Sequence, residues 1–356
     1  MKKAEGRRQK AEGRRQKAEG RRHYFDFLRV AGAFAVMVLH VAAQNWYSTD
    51  VRSLAWQTFN FYDGLVRLGV PLFVMISGAL FLSRDIPVKK LYSKYIFKIF
   101  TAFVFWSLVY AAWDYAKSGK LLWSLSRFIS GHYHMWFLFM IVGLYMIVPF
   151  MKKIAESASL TKYFLVLVLV FTFVLPESAN VVSLFSEKYG GFINKVAGSF
   201  NMRFVMGFSG YFLLGYFLDN ADITAKAERL IYTAGILGAA ATVLMSLYAS
   251  LLTGKPDETF YGSMSVNVLC ETVAVFVFFK KHLDQESALA MRLSQYSLGA
   301  YLVHDANIML IRRLGLDTLT FCPVLAVPVI AVMVFVLSFA ISAVIHRIPI
   351  LKKYVV

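Results

Sequence analysis

The sequence predicts an all-α integral membrane protein, a bundle of about ten transmembrane helices with both chain ends on the cytoplasmic side. Composition is the first observation behind this. Of the 356 residues, 58% are hydrophobic and 17% charged, with a mean hydropathy of +0.57. Soluble domains run nearer half apolar and a quarter charged. The second observation is a set of long uncharged runs, at 30–43, 100–113, 163–176 and 321–345. A helix needs roughly 20 mainly apolar residues to cross a bilayer. Backbone groups in lipid find no water, so spanning segments must be helices or closed barrels, and apolarity without strict alternation selects helices. The third observation is where the charge sits. With the N-terminus inside, sixteen Lys and Arg fall on the cytoplasmic side and nine on the outer side, even with the N-terminal tail left out. That asymmetry orients the bundle. It also gives the net charge of +17 a role at the lipid surface rather than on nucleic acid.

The chain divides into a tail, residues 1–22, and a polytopic membrane domain, residues 23–356. The tail repeats Lys-Ala-Glu-Gly-Arg-Arg-Gln almost three times and carries ten Lys or Arg against three Glu. The period is seven, but no apolar seam exists for a coiled coil. A basic, solvated arm near anionic headgroups is the expected state. No apolar core or cleavage site marks it as a secretory signal. Expected spans then follow at 24–44, 63–82, 92–114, 134–151, 162–177, 202–218, 229–252, 263–279, 294–311 and 322–345. Gly254, Lys255, Pro256 and Asp257 supply the turn between the seventh and eighth.

Ionisable residues inside such helices are expensive and point to function. The first span holds Asp26, Arg29 and His40. Arg29 and His40 are eleven residues apart, about three turns, so they share one helix face and lie roughly 16 Å apart along the axis. Ala33 and Val36 fall between them and would form a small-residue groove. Arginine matches phosphate oxygens bidentately, and histidine suits proton abstraction near neutral pH. The bland alternative is that Asp26 pairs with Arg29 at the headgroups while His40 bonds a neighbouring helix.

Lys90, Lys94 and Lys98 open the third span at spacings of four, on one face. They either snorkel to headgroups or line an anion site. His132, His134 and Trp136 open the fourth. Metal binding is not expected, because no carboxylate or third histidine stands nearby in sequence. Asn267 and Glu271 share a face of the eighth span and must point inward. Tyr301, His304, Asp305 and Asn307 cluster in the ninth; His304 and Asp305 are adjacent, do not face each other, and need different partners. Cys270 and Cys322 lie within spans at no metal-type spacing, and are expected to pack. No P-loop, dinucleotide glycine fingerprint, His-Glu-x-x-His or Gly-x-Ser-x-Gly is present.

Several segments together resemble one family. Phe25-Asp26-Phe27-Leu28-Arg29, followed ten intervening residues later by His40, is similar to the opening of acyltransferase family 3. Gly69-Val70-Pro71-Leu72-Phe73-Val74-Met75-Ile76-Ser77-Gly78 resembles its second helix and His134-Met135-Trp136-Phe137-Leu138 its fourth. Gly210-Tyr211-Phe212-Leu213-Leu214-Gly215-Tyr216 and Leu298-Gly299-Ala300-Tyr301-Leu302-Val303-His304 are similar to later segments. The likeness covers residues 24–345 and is greatest to the stand-alone O-acetyltransferase branch. One departure stands out: the family often carries Arg-x-x-Arg at the start of its third helix, where this chain has Lys94 and Lys98, a spacing of four without the bidentate fork.

The resemblance implies a multi-pass protein of the bacterial cytoplasmic (inner) membrane. It implies acetyl-CoA, or another acyl-CoA, as donor, no metal, and a sugar hydroxyl of a surface polysaccharide or lipid-linked glycan as acceptor. Under it, Arg29, Lys94 and Lys98 would hold the cofactor phosphates. His40 would act as general base or carry the acyl group, with Arg29 supporting it. His134, Trp136, Asn267, Glu271, Tyr301 and His304 would be candidates for acceptor binding. The rival is an exporter or flippase of polysaccharide intermediates, which the sequence disfavours by showing no inverted repeat. A sensor would need an output domain. The sequence sets no oligomeric state.

Overall fold

The computed structural model describes residues 21–356, and every regular element among them is a helix. The basic repeat of the expected tail lies outside the described residues, except for Arg21 and Arg22. In chain order the helices are α1 (Tyr24–Ala42), α2 (Leu54–Leu82), α3 (Val88–Ser118), α4 (Leu121–Ser130), α5 (Trp136–Met146), α6 (Val148–Ala155) and α7 (Ala158–Ser183). They continue as α8 (Glu187–Ser199), α9 (Met202–Asn220), α10 (Ala225–Thr253), α11 (Val266–His282), α12 (Ala288–Arg313), α13 (Pro323–Ile345) and α14 (Pro349–Tyr354).

Seven of these helical stretches are long and apolar enough to cross a membrane: α1, α2, α3, α7, α10, α13 and the one ending in α11. An eighth span forms if the helix Leu121–Met146 and α6, bent by 59° at a break, count as one. The expected count of about ten is not reached by this measure of length and apolarity. The segments expected at 202–218 and 294–311 are helical, but α9 and α12 are not among the spans that qualify by length and apolarity. α9 is also kinked at Gly207, and α12 carries buried Ser294, Ser297, His304, Asp305 and Asn307, which lower its hydropathy.

The helix ends follow ordinary chemistry. Ser53 accepts from the Trp56 N–H at the start of α2. Asp284 accepts from the N–H groups of His23 and Tyr24, at 2.6 and 3.1 Å, at the start of α1, which supplies the free donors of a helix N-terminus. Gly119 ends α3 at φ +66°, and Gly131 separates α4 from α5 at φ +75°, a left-handed backbone that glycine tolerates.

α1 lies at the centre, with 61% of its spanning window buried, whereas α7 and α10 bury 22% and form the rim. It packs against α2, α12 and α13. The tightest crossing is between α2 and α9. A Cβ placed on Gly78 would lie 1.7 Å from the Phe212 carbonyl oxygen, and one on Gly215 would lie 2.1 Å from that of Met75. Close backbone approach is what small residues give helices in lipid, where no hydrophobic force drives association. Both described chain ends lie at the Arg29 end of the bundle. Arg21 pairs with Asp26 at 2.5 Å. At the other end of the chain, α14 packs on α3 and the Val355 carbonyl accepts from Trp106 Nε1 at 3.3 Å.

Candidate active site

Arg29 and His40, near opposite ends of α1, line two different cavities. The cavity at the Arg29 end, of about 250 Å³, is lined by Arg29, Lys98, Tyr95, Tyr145, Ser77 and a mostly apolar shaft including Phe73, Phe137 and Leu138. The cavity at the His40 end, of about 820 Å³, is lined by His40, Tyr133, Trp136, Trp123 and several charged side chains. Val36 and Val70 line both. The groove expected along α1 therefore exists with a different floor. Val36 belongs to it, but Ala33 is buried in a cluster with Ala326, Val327 and Ile330 of α13 and lines neither cavity.

Arg29 is positioned from below by Asp26, whose Oδ1 lies 3.5 Å from Nη1. That carboxylate also accepts from Ser294 Oγ at 2.5 Å, tying α1 to α12. Lys98 faces the same cavity, but Lys94 does not: it is exposed, with Nζ 5.5 Å from the Tyr95 ring. The two lysines expected together on the cofactor are thus not brought into one cavity. Residues 91–96 form a π-helical turn, whose extra residue per turn rotates the face, so Tyr95 rather than Lys94 reaches the cavity with Lys98.

His40 sits in a cluster of imidazoles and phenols. Its ring centroid lies 5.0 Å from that of His304, which lies 5.0 Å from that of His134. Tyr133 donates its hydroxyl proton to Asp305 Oδ1 at 2.7 Å and stands 3.3 Å from His40 Nδ1. Since that one proton is committed to the carboxylate, the Tyr133 oxygen accepts from His40 Nδ1–H. This fixes the tautomer and leaves Nε2 as the basic nitrogen. His304 donates Nδ1–H to the Tyr301 carbonyl, and Tyr301 donates to the His134 carbonyl. The Tyr301 bond holds α12 against the turn before α5, and the His304 bond, within α12, orients the His304 ring.

The remaining expected residues separate. Trp136 lines the His40-side cavity, whereas Tyr301 lines the Arg29-side one. His134 and His304 are buried behind His40, 2% and 0% exposed. Asn267 stands apart from both cavities: its amide nitrogen donates to Thr242 Oγ1 at 2.7 Å and to the Phe260 carbonyl at 2.8 Å. It joins α10 to α11 and lines neither cavity. Glu271 is buried one turn later on α11 and also lines neither. The premise against a metal is overturned as well, because Asp305 Oδ2 comes within 3.5 Å of His132 Nδ1.

Sequence reasoning missed Tyr133, which stands between two histidines that it did single out, and the role of Asp305. It also missed the charged mouth of the His40-side cavity, where Arg67, Lys117, Arg127 and Arg312 face Asp114 and Glu258. There, burial and the Glu258 carboxylate push the Tyr47 phenol up to about 12. Tyr47 accordingly keeps its proton at neutral pH and donates it to Glu258. A third cavity of about 670 Å³ shares Trp136 and Ser263 with the His40-side one, and is lined by Asn180, Asn194, Thr259 and Ser265.

An apolar cavity bearing Arg29 and Lys98, and a polar one bearing His40, with Val36 and Val70 in the walls of both, suit the joining of two chemically different substrates. A search of curated proteins and a search of solved structures each give no match. A family model described as an acyltransferase domain matches residues 22–347, nearly the whole chain. The protein is therefore a multi-pass membrane acyltransferase, and the chain belongs to acyltransferase family 3.

Proposed function

We propose that the protein moves an acetyl group, or another short acyl group, from acyl-CoA to a sugar hydroxyl of a cell-surface polysaccharide or its lipid-linked precursor. The observation that carries this is a pair of cavities that share Val36 and Val70 in their walls, with Arg29 and Lys98 on one and His40 on the other. The Arg29-side cavity is too small for a nucleotide and shaped for a thin apolar arm. The pantetheine chain would enter it, with the phosphates outside on Arg29 and Lys98. The acceptor would occupy the larger chamber, where Trp123 and Trp136 offer flat faces to a sugar ring. The neutral amides and hydroxyls past Trp136 give room for a neighbouring sugar unit. The uneven distribution of Lys and Arg supports a cytoplasmic Arg29 end, and in this reading the membrane is a bacterial inner membrane.

The transfer runs as follows. His40 Nε2 takes the proton of the acceptor hydroxyl as its oxygen attacks the thioester carbonyl. The tetrahedral intermediate collapses by breaking the carbon–sulfur bond. The CoA thiolate leaves with the proton returned from His40, and the sugar ester remains. Tyr133 and Asp305 hold the imidazole through the cycle and stabilise its charged form. General-base assistance contributes roughly 10²–10⁴-fold, so His40→Ala is expected to lose activity on that scale while still folding. The assay is mass spectrometry of the surface glycan from cells carrying wild-type, His40→Ala or no protein. The reading expects acyl esters in the first only, and esters at wild-type level in His40→Ala cells refute it.

A further inference from the structure

We propose that His132, His134 and Asp305 form a binding site for one divalent transition-metal ion, zinc in first place, in the wall of the His40-side cavity. Local backbone brings the two histidines together. Residues two apart in a helix point to nearly opposite sides. Here Gly131, at φ +75°, and the 3₁₀ turn Tyr133–Met135 interrupt the helix, and His132 is extended at ψ 151°. The two Nδ1 atoms end 3.1 Å apart, and His132 Nδ1 lies 3.5 Å from Asp305 Oδ2. Ligands about 2.0–2.1 Å from zinc stand roughly 3.3–3.4 Å from one another on a tetrahedron. All three ligand atoms lie within 4.8 Å of one another, so a modest side-chain rotation closes the set.

Charge supplies an independent reason. Asp305 is 4% exposed. Among the described residues no Lys or Arg reaches it within ion-pair distance; its polar contacts are the neutral Tyr133 hydroxyl and His132. A buried carboxylate without a cation is costly, and an ion held by two neutral imidazoles relieves that cost. The remaining requirements of a metal site are present too. Tyr133 bonds the other carboxylate oxygen, which orients it as outer partners of metal ligands do. Tyr110 stacks on the His132 ring with centroids 4.4 Å apart. His132 and Asp305 line a cavity of about 820 Å³, which gives an entry path. Two imidazoles and one carboxylate, with a fourth position left open, is an established zinc donor set. An ion here would fix Asp305, and through Tyr133 the ring of His40. The site itself does not depend on the acyl-transfer reading, since metal content is measured without turnover.

The test uses the full chain without a polyhistidine tag, purified in detergent, loaded with zinc and desalted. Metal content by mass spectrometry is expected at about one zinc per chain for wild type, and at trace level for His134→Gln and Asp305→Asn. Zinc-edge X-ray absorption of the wild type reads the ligands whether or not the variants fold, and is expected to show two imidazoles with oxygen donors. Zinc alone should also raise the wild-type Tm and leave the variants unmoved. Trace zinc in loaded wild type overturns the proposal in favour of a plain His132–His134 hydrogen bond. Equal zinc in well-folded variants, or an absorption spectrum showing sulfur or no imidazole, overturns it as well.

Discussion

Under the proposed function, Tyr133 is the residue on which the chemistry of His40 turns, because its one phenolic proton sets the His40 tautomer. Removing that hydroxyl leaves Asp305 without its donor and His40 Nδ1–H without its acceptor. Hydrogen bonds to a charged group are worth about 1.5–3 kcal/mol. Tyr133→Phe is therefore expected to lower kcat by roughly ten- to a hundredfold with the KM for acyl-CoA unchanged, as steady-state kinetics will show. An unchanged kcat removes Tyr133 from the account. Lysines separate in the same manner. Lys98→Ala should raise the KM for acyl-CoA, while Lys94→Ala should leave it alone, because only Lys98 faces the cavity. Arg29 and His40 were legible in the sequence because both lie on one helix, where spacing alone sets the face. Tyr133 and Asp305 meet across 172 positions of chain, so no local period joins them. The separation of Lys94 from Lys98 is not legible in the sequence, because a π turn is silent in a pattern of charges.

The helices carry their own lesson in α2 and α9. The two segments that resemble the family most plainly there, around Gly78 and Gly215, are the ones that touch backbone to backbone. Their glycines are explained by packing, with no part in the chemistry. Gly78→Val is expected to destabilise the bundle by more than the roughly 1–3 kcal/mol typical of an overpacked core, because the obstacle is the Phe212 backbone and no side chain can step aside. Loss of the folded protein in a detergent thermal melt checks this, and a wild-type Tm contradicts it. α12 shows why the span count differed from expectation. It positions His304 and Asp305 and holds Asn307 against Ser338 at 2.8 Å, so the helix that serves the site most is too polar to read as a span by hydropathy. Asn267 was assigned to the site from its burial, but its partners are a neighbouring threonine and a carbonyl. A buried amide looks the same in sequence whether a ligand or a helix satisfies it.

For the whole molecule, composition and apolar runs sufficed to read a helical membrane bundle, because lipid leaves the backbone so few choices. What they left open was the interior, which depends on how helices distant in sequence meet. The central claim is that one passage joins the Arg29 end to the His40 end past Val36 and Val70, so that donor and acceptor arrive from opposite sides. The most direct measurement is a cryo-electron microscopy structure of the protein with a non-hydrolysable acetyl-CoA analogue. The expected density puts the phosphates on Arg29 and Lys98, the pantetheine arm along Val36, and the acyl carbon within reach of the His40 imidazole. An analogue that binds with its phosphates at the His40 end, or whose acyl group stops short of Val36, contradicts the account.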